Sequence, residues 1–403
     1  MKNKTNVLRD VNKIYSLKNP STYIVNLNKK KIEQLVKNRK EFFIHKLKLP
    51  SQIYKDSKLL ELGCGSGQNS IYFDHQGCTC TMVEFDKKSY NNTLQLFKKY
   101  SKNKFKLYNQ DLFKFKTNQK FDFVVSNAVA HHTKDIRKNI ILASKFLKKG
   151  GYLILGIGET NGYFQRHFQR YILYNFASSE SEIYKLAKSL FKENINRGKK
   201  YGGRTTDEII FDTYLNPKIE TLSFKEVIKI FNKNCLYLYS SDENSFKIDD
   251  IYGFEKKQFS ILKNIDFSKN NSFQLNSILN FSYSKNSDLK LKLNSKRLDK
   301  LLNIQEVLVN KLNDQSFYNL KKLNLKYLIK KYYQKIKKLP KIDMIDKKNT
   351  LNFTLEILKI IKILEIQDKD LKIKKIKKII KENSRLFKKY NGKGMNYFVG
   401  LKY

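Results

Sequence analysis

The chain has little arginine, cysteine or proline, no tryptophan, and no long apolar run. Its four cysteines in 403 residues show no regular spacing, which argues against a disulfide framework, and no Cys or His pair has the spacing of a metal site. No stretch approaches the roughly 18 apolar residues that a membrane-spanning helix needs, and the basic N-terminus lacks the apolar core of a signal peptide. We therefore expect a cytoplasmic protein with reduced thiols, no metal and no membrane insertion.

Positive charge is the main compositional excess, with 81 Lys and Arg against 37 Asp and Glu, a formal net charge of +44. Such a field attracts polyanions, nucleic acid above all. Only nine of the cations are Arg, however, and Arg is the residue of bidentate phosphate and base recognition. Abundant Lys together with abundant Asn and Ile is typical of codon bias. Two interpretations stay open: codon bias, which we favour, and selected nucleic-acid binding.

The pattern along the chain predicts three regions. Residues 1–56 are polar and Lys-rich and form a helical lead-in that ends near Pro50. From residue 57 to 245, short apolar runs alternate with helical stretches, which is typical of βαβ units feeding a parallel sheet, with a helix-rich insertion at about 161–233. Residues 246–403 are Lys-rich with apolar residues at helical spacing, and end in a short strand at Asn396–Lys402.

The predicted sheet has five strands separated by helices, which defines a doubly wound α/β core. The strands are placed at Lys58–Leu62, Cys80–Glu84, Lys104–Tyr108, Phe121–Ser126 and Tyr152–Gly156. The helices are placed at Gln68–His75, Lys87–Tyr100 and Ile136–Lys148, the last closed by a stop at Gly150-Gly151.

The strongest motif is the segment from Leu59 to Gly67, a strand that runs into a glycine-rich turn and opens a helix. Glycines at 63, 65 and 67 let the backbone bend sharply and approach a ligand. A dinucleotide fingerprint is G-x-G-x-x-G, but here the third glycine follows the second after two residues rather than three. The acidic Glu61 just before the first glycine suits a ligand with positive ammonium and sulfonium groups better than a pyrophosphate.

Two further acidic residues follow consecutive strands. Glu84 closes the second strand 21 residues after Gly63, near the spacing at which a carboxylate reaches a ribose hydroxyl pair. Asp111, after the third strand, is placed to accept from an adenine amino group. Asp86, beside Glu84, is interpreted as the N-cap of the next helix.

Taken together, Glu61 to Gly67, Glu84, Asp111 and the segment Phe121 to His132 resemble the successive motifs of class I S-adenosylmethionine-dependent methyltransferases. The segment from Ser126 to His132, with Phe146 to Leu155, resembles the branch that acts largely on small molecules. The resemblance covers about residues 40 to 160. It implies a Rossmann-like, doubly wound, mostly parallel sheet, to which this chain adds the Lys-rich helical C-terminal region.

The resemblance also implies roles for particular residues. The methionine part of the donor contacts the glycine turn, the ribose meets the acid after the second strand, and the adenine meets the Asp after the third. The donor-binding positions that follow are Glu61, Gly63, Cys64, Gly65, Gly67, Glu84, Phe85, Asp111, Leu112 and Asn127. A Glu stands at 84 where the family often has Asp, which changes the reach and keeps the charge.

The implied reaction is a direct displacement at the methyl group, in which the enzyme supplies proximity and orientation. A hydroxyl acceptor needs a general base, and His131 and His132 are the candidates, with a helix-start or pocket-wall role as the alternative. Arg is concentrated at 166–204, and we predict that Arg166, Arg170 and Arg204 neutralise an anionic acceptor, unless they pair with surface carboxylates.

Three functions remain possible at this point. We favour a small-molecule methyltransferase that transfers methyl to an oxygen or nitrogen of a metabolite or sugar. RNA or tRNA methylation is supported by charge alone, and it requires aromatic side chains exposed beside the cations, with Tyr327, Tyr332 and Tyr333 as candidates. The third is a non-catalytic donor-binding scaffold that recruits a partner through its helical C-terminal region. The sequence does not indicate an oligomeric state.

Overall fold

A computed structural model describes residues 28–202, 204–216, 219–242, 277–278, 281, 295–313, 323–339, 347–382 and 394–403. The chain divides into two compact units. Unit 1 comprises residues 1–157, 226–265 and 396–403, and unit 2 comprises residues 158–225 and 266–395. The predicted insertion at about 161–233 thus falls largely in unit 2, together with much of the C-terminal region; the predicted domain boundaries themselves stay a prediction.

The described regular elements are seven strands and thirteen helices. The strands are β1 (Lys58–Leu62), β2 (Thr79–Glu84), β3 (Phe105–Asn109), β4 (Phe121–Asn127), β5 (Leu147–Gly158), β6 (Leu236–Ser241) and β7 (Met395–Lys402). The helices are α1 (Lys29–Glu41), α2 (Ser70–His75), α3 (Lys87–Tyr100), α4 (Ile136–Lys145), α5 (Phe164–Phe176), α6 (Glu180–Leu190), α7 (Lys192–Gly202), α8 (Thr206–Ile210), α9 (Phe224–Lys233), α10 (Ser295–Leu312), α11 (Lys326–Lys337), α12 (Lys347–Leu364) and α13 (Lys369–Lys381).

The strands form one mixed, mostly parallel sheet in the order β3-β2-β1-β4-β5-β7-β6. Strand β1 pairs in parallel with β2 and β4, and β6 and β7 pair antiparallel. The chain runs outward from β1 through β2 to β3, then returns to the other side of β1 with β4. Ligands of such sheets bind outside the carboxyl ends of the strands at the point where the order reverses, which here lies between β1 and β4.

The predicted α/β sheet is confirmed, and so are its five predicted strands, whose ends differ by no more than two residues except that β5 begins at Leu147 instead of Tyr152. Strand β1 is an apolar run because a central parallel strand is covered on both faces, and Leu59 to Leu62 are all buried. Helix α3 has the predicted bounds, and Asp86 is its N-cap, with the Ser89 N–H donating to Asp86 Oδ2 at 2.9 Å. The predicted C-terminal strand is β7.

The prediction for the end of α4 was wrong. The helix ends at Lys145 instead of Lys148, and Gly150-Gly151 lies inside β5 rather than at a helix stop. Phe121 pairs with Leu147 while Phe123 pairs with Tyr152, so β5 bulges outward between these two pairs. Gly150, with φ of 76°, accommodates the bulge. The glycine pair after the helical pattern therefore belongs to an irregular strand and does not mark the end of a helix.

The core of unit 1 is rich in aromatic rings that pack against one another. The ring of Tyr54 lies 4.9 Å from that of Phe123 and 5.4 Å from that of Phe73, measured between centroids. Phe43 stacks on Tyr72 at 4.9 Å. These contacts join the segment before β1 to α2 and to β4, and so hold the sheet edge that carries the glycine turn.

Unit 2 is helical and has its own apolar core. Phe164, Phe281 and Phe353 meet there, with centroids of Phe164 and Phe281 4.2 Å apart. Helix α13 buries only Ile376 fully and exposes most of its lysines, as expected for a solvated face around an apolar seam. The Lys-rich helical C-terminal region is thus confirmed where it is described. Within the described ranges, no helix has the length and apolar content needed to cross a bilayer.

Several sequence predictions lie outside the described residues. These are the lead-in over residues 1–27 and much of the C-terminal region, namely residues 246–276, 279–280, 282–294, 314–322, 340–346 and 383–393.

Candidate functional site

Three glycines bend the chain between β1 and α2. Gly63, Gly65 and Gly67 have φ values of 75°, 56° and 78°, in the left-handed region that disfavours residues with a Cβ. The N–H groups of Gly63 and Cys64 both donate to the carbonyl of Val83, at 2.8 and 3.2 Å. The predicted sharp bend is confirmed, and it is attached to the neighbouring end of β2.

Two side chains that sequence reasoning missed hold this turn. Val129, which follows β4, lies so close that a Cβ on Gly63 would stand 2.6 Å from Val129 Cγ2. Thr93 of α3 donates from Oγ1 to the carbonyl of Gly65 at 2.7 Å. The glycines signalled that something approaches closely, but nothing in the sequence indicated these two partners.

Glu84 joins the turn to the next helix. Its Oε2 accepts from the Gly65 N–H at 2.8 Å, and its Oε1 accepts from the Asp86 N–H at 2.9 Å. The carboxyl group is nearly fully buried, and this burial raises its pKa to about 7, against the opposing effect of the two N–H groups. A buried acid in this position ionises most readily when a cation or a hydroxyl donor approaches.

Glu61 is buried beneath the turn rather than presented on its surface. It accepts from the Ser70 hydroxyl and from Asn69 Nδ2, both at the start of α2, instead of from backbone N–H groups of the turn. Burial raises the pKa of Glu61 to about 7, and the Ser70 and Asn69 hydrogen bonds oppose the rise. In this geometry Glu61 positions the glycine turn on α2.

The end of β3 presents Asp111 at the surface. Its Oδ1 accepts from the Phe113 N–H at 2.9 Å, while Oδ2 has no partner among the described residues. Leu112 beside it is buried and Phe85 is 39% exposed. Because Glu84 pairs with Asn109 in the parallel register, the ends of β2 and β3 are level and these side chains share one edge of the sheet.

The end of β4 carries the remaining predicted residues. Asn127 lies against Gly156, where a Cβ would stand 2.3 Å from Asn127 Oδ1, and that oxygen is buried without a described partner. Ala128 follows with φ of 59°, a strained value for a residue with a side chain, and its N–H donates to the Gly156 carbonyl at 2.9 Å. Backbone strain of this kind is concentrated at functional sites.

His131 and His132 lie on a short helical turn, Ala130–His132, which begins two residues after that strained residue. Their ring centroids are 4.1 Å apart, with His131 buried and His132 half-buried. Both histidines therefore follow the strand next to β1, across the switch point from the glycine turn. Their role in catalysis stays a prediction.

The glycine turn, Glu84, Asp111 and the end of β4 meet at one edge of a doubly wound sheet, and a family comparison agrees with that geometry. Residues 31–178 match the model of a methyltransferase domain. The chain carries a class I S-adenosylmethionine-dependent methyltransferase domain. The match leaves residues 1–30 and 179–403 uncovered, and no curated protein matches the chain.

Solved structures similar to this chain include TehB and two proteins named as methyltransferases. TehB from Haemophilus influenzae is 20% identical with a TM-score of 0.25 over 30% of this chain and 46% of TehB. The N-methyltransferase NodS from Bradyrhizobium japonicum, solved with S-adenosyl-L-homocysteine, is 20% identical with a TM-score of 0.29 over 38% of this chain and 74% of NodS. Magnesium protoporphyrin IX methyltransferase from Synechocystis is 13% identical with a TM-score of 0.35 over 58% of this chain and 91% of that protein. The chain spans about half the length of TehB, 46%.

The residues of the methyltransferase domain fit the donor. The glycine turn removes side chains from the place where a ligand must approach, and the polar atoms Ser66 Oγ and Gln68 Nε2 are buried there without a described partner. Glu84 and the free Oδ2 of Asp111 supply acceptors for hydroxyl and amino groups. No group of three or more His, Cys, Asp or Glu side chains in the described ranges is arranged to hold a metal ion.

The three predicted acceptor-binding arginines lie in unit 2. Arg166 and Arg170 lie one turn apart on α5, while Arg204 forms an ion pair with Asp212 at 2.9 Å. The alternative of pairing with a carboxylate therefore applies to Arg204. For Arg166 and Arg170 no ion pair with a described residue exists, and their role in acceptor binding stays a prediction.

Proposed function

We propose that this protein transfers a methyl group from S-adenosylmethionine to an oxygen or nitrogen of a small metabolite or sugar. The observation that carries the proposal is the glycine turn at Gly63 to Gly67, whose Gly65 N–H is bonded to the buried Glu84. The donor, when bound, supplies a methyl group activated by its positive sulfonium. The side chains of this protein orient the donor and remove a proton from the acceptor.

The turn and the two acids orient the donor. Glu84 accepts from the ribose hydroxyls while keeping its hydrogen bonds to backbone N–H groups, since a carboxylate has about four lone-pair sites. Asp111 Oδ2 accepts from the adenine amino group. Ionised Glu84 and Glu61 also lower the energy of a cation nearby, because their negative charges lie in a buried, weakly screened place.

A hydroxyl acceptor must lose a proton, and the proposal assigns that proton to an imidazole nitrogen of His131 or His132. These rings follow β4, the strand across the switch point from the glycine turn. General-base assistance of this kind typically contributes about 100- to 10,000-fold in rate. An amine acceptor that is already neutral needs less general-base assistance. A large loss of kcat in the histidine variants therefore indicates methylation of an oxygen, and a small loss indicates methylation of a nitrogen.

The experiment is incubation of the full chain with methyl-labelled donor and fractionated cell extract. The proposal expects label in the small-molecule fraction. His131→Asn and His132→Asn are then compared with His75→Asn, which replaces the last residue of α2, a histidine whose Nε2 contacts the Tyr100 carbonyl at 2.9 Å. Loss of kcat in one or both of the first pair, with donor affinity retained, supports the base; equal activity in all three variants contradicts it.

RNA is the second candidate acceptor, and one observation favours it. Tyr327 on α11 is 69% exposed, and Lys331 Nζ lies 6.0 Å from the centroid of its ring. Tyr332 is buried and Tyr333 is only partly exposed, so the described face offers one stacking ring rather than three. RNA binding should weaken steeply with salt and on Tyr327→Ala, and label in the RNA fraction would replace the small-molecule proposal.

A further inference from the structure

Helix α5 places three basic side chains on one face inside unit 2. Arg166, His167 and Arg170 are spaced by one and three residues, so they share a face with Tyr163 and Tyr174. His167 and Arg170 are fully buried, with 0% and 1% of their surface exposed, and Arg166 is half-buried. Buried cations of this kind normally have a carboxylate partner.

Among the described residues, neither guanidinium group forms a hydrogen bond or an ion pair with a carboxylate. Arg170 Nη1 donates to the Asn216 carbonyl and Nη2 to the Tyr174 hydroxyl, each at 2.9 Å, and Nε has no partner. Both of these acceptors are neutral. Arg166 stacks 4.7 Å above the ring of Tyr163 and forms no hydrogen bond or ion pair with a described residue.

The carboxylate that acts electrostatically on Arg166, that of Asp212, already forms an ion pair with Arg204. Asp212 interacts electrostatically with Arg166, but its Oδ2 accepts from Arg204 Nη1 at 2.9 Å. Arg204 donates a second hydrogen bond to the Glu208 carbonyl. Within the described part of unit 2, Asp212 is therefore shared by more than one positive charge, and the Arg170 side has none.

The pKa of His167 is lowered by burial and also by the two neighbouring positive charges. Burial, together with the charges of Arg170 and Arg166, lowers the pKa of His167 to about 3, so the ring is neutral at physiological pH. Neither ring nitrogen has a hydrogen-bond partner among the described residues. A neutral imidazole offers one donor and one acceptor, so the ring is a further polar group with no described use.

We propose that Arg166, His167 and Arg170 form a binding site for the anionic group, carboxylate or phosphate, of a small molecule. An anion here neutralises both guanidinium groups and accepts from their unused N–H donors, which are charge-assisted hydrogen bonds and stronger than neutral ones. The half-buried Arg166 is the side from which the anion enters. The inference concerns unit 2 alone and holds whether or not that small molecule is the methyl acceptor.

The test is titration calorimetry and thermal unfolding of the full chain, without donor, with inorganic phosphate and with acetate at matched ionic strength. The proposal expects saturable binding of at least one of them, with a rise in the unfolding temperature. Phosphate binding alone indicates a phosphorylated ligand, and acetate binding as well indicates a carboxylate-sized site. Absence of saturable binding for both anions overturns the proposal.

The variants are Arg166→Gln and Arg166→Lys, with Arg197→Gln as a control that removes one positive charge from α7 of the same unit. We expect Arg166→Gln to weaken anion binding at least tenfold, Arg166→Lys by severalfold, and Arg197→Gln not to change it. Equal weakening in Arg166→Gln and Arg197→Gln would mean unspecific charge attraction and contradict the site.

Methyl transfer is scored separately: phosphate should compete with the acceptor only if the anionic molecule is the acceptor. Anion binding without methyl transfer would support this site and refute the proposed function. Methyl transfer without anion binding would refute this site and support the proposed function.

Discussion

Replacing Gly63 by alanine tests the turn at its tightest point. The new Cβ would lie 2.6 and 2.7 Å from the two Cγ atoms of Val129, and the backbone has φ of 75°. Two effects add: the left-handed conformation of a non-glycine residue costs roughly 1–2 kcal/mol, and forcing extra atoms into a packed place costs about 1–3 kcal/mol. We expect Gly63→Ala to lower the free energy of unfolding by roughly 2–5 kcal/mol.

Gly150→Ala is the matched control. Gly150 has nearly the same φ, 76°, but an added Cβ meets nothing within 4 Å. This variant carries only the conformational part, about 1–2 kcal/mol. The difference between the two variants isolates the clash with Val129, and it should shrink in the double variant Gly63→Ala/Val129→Ala, which removes both Cγ atoms.

The assay is urea unfolding of all four proteins, followed by donor titration of those that remain folded. Gly63→Ala should also weaken S-adenosylmethionine binding, since the turn must shift to relieve the contact, while Gly150→Ala should bind as the parent does. If Gly63→Ala is no less stable than Gly150→Ala, or if Val129→Ala restores nothing, the close approach of the turn and the β4 loop is refuted.

Three further predictions concern the same site. Thr93→Val, which keeps the shape but removes the 2.7 Å hydrogen bond to the Gly65 carbonyl, should cost about 1–2 kcal/mol of stability and weaken donor binding severalfold; unchanged binding would show that Thr93 does not hold the turn. Burial raises the pKa of Glu61 and Glu84 from 4.5 to about 7. Between these two pH values the folded protein binds more protons than the unfolded chain, so the free energy of unfolding should fall as the pH rises from about 5 to about 8. The expected fall is up to about 3 kcal/mol per group. Donor binding should strengthen over the same range with proton release, and calorimetry in two buffers of different ionisation enthalpy that detects no release would contradict this. Ala128→Gly should change stability by less than about 0.5 kcal/mol because relief of the strained φ of 59° offsets the added freedom of the unfolded chain, whereas Ala130→Gly should lose about 1 kcal/mol or more; equal losses in urea unfolding would argue against strain at Ala128.

Much of unit 1 could be predicted because its signals are local. The apolar run of β1, the acid at Asp86 that caps α3, and the glycines of the turn each depend on a few neighbouring residues. The order of the polar residues along the chain then places them at one edge of the sheet, since parallel strands end at the same side.

What failed depends on contacts distant in the sequence. The β5 bulge at Gly150 follows from the pairing of Phe121 with Leu147, which no local pattern reveals. Likewise, Arg204 forms an ion pair with Asp212, whereas Arg166 and Arg170 form no ion pair with any described residue, although nothing in the sequence distinguishes the three arginines. The burial of Glu61 beneath the turn could not be predicted either, because the side chain of an acid before a glycine turn can point into the protein or toward the ligand.

The central claim is that the glycine turn and Glu84 together bind the methyl donor. The most direct measurement is calorimetric titration of S-adenosylmethionine and S-adenosylhomocysteine into the parent protein, Glu84→Gln and Glu226→Gln, the last being the same substitution in an exposed ion pair with Arg137. Both oxygens of Glu84 accept backbone N–H groups, so an amide at this position must place a donor against a donor. The account predicts saturable binding to the parent and to Glu226→Gln, and a loss of roughly tenfold or more in Glu84→Gln. Absence of binding to the folded parent, or equal binding by Glu84→Gln, would contradict it.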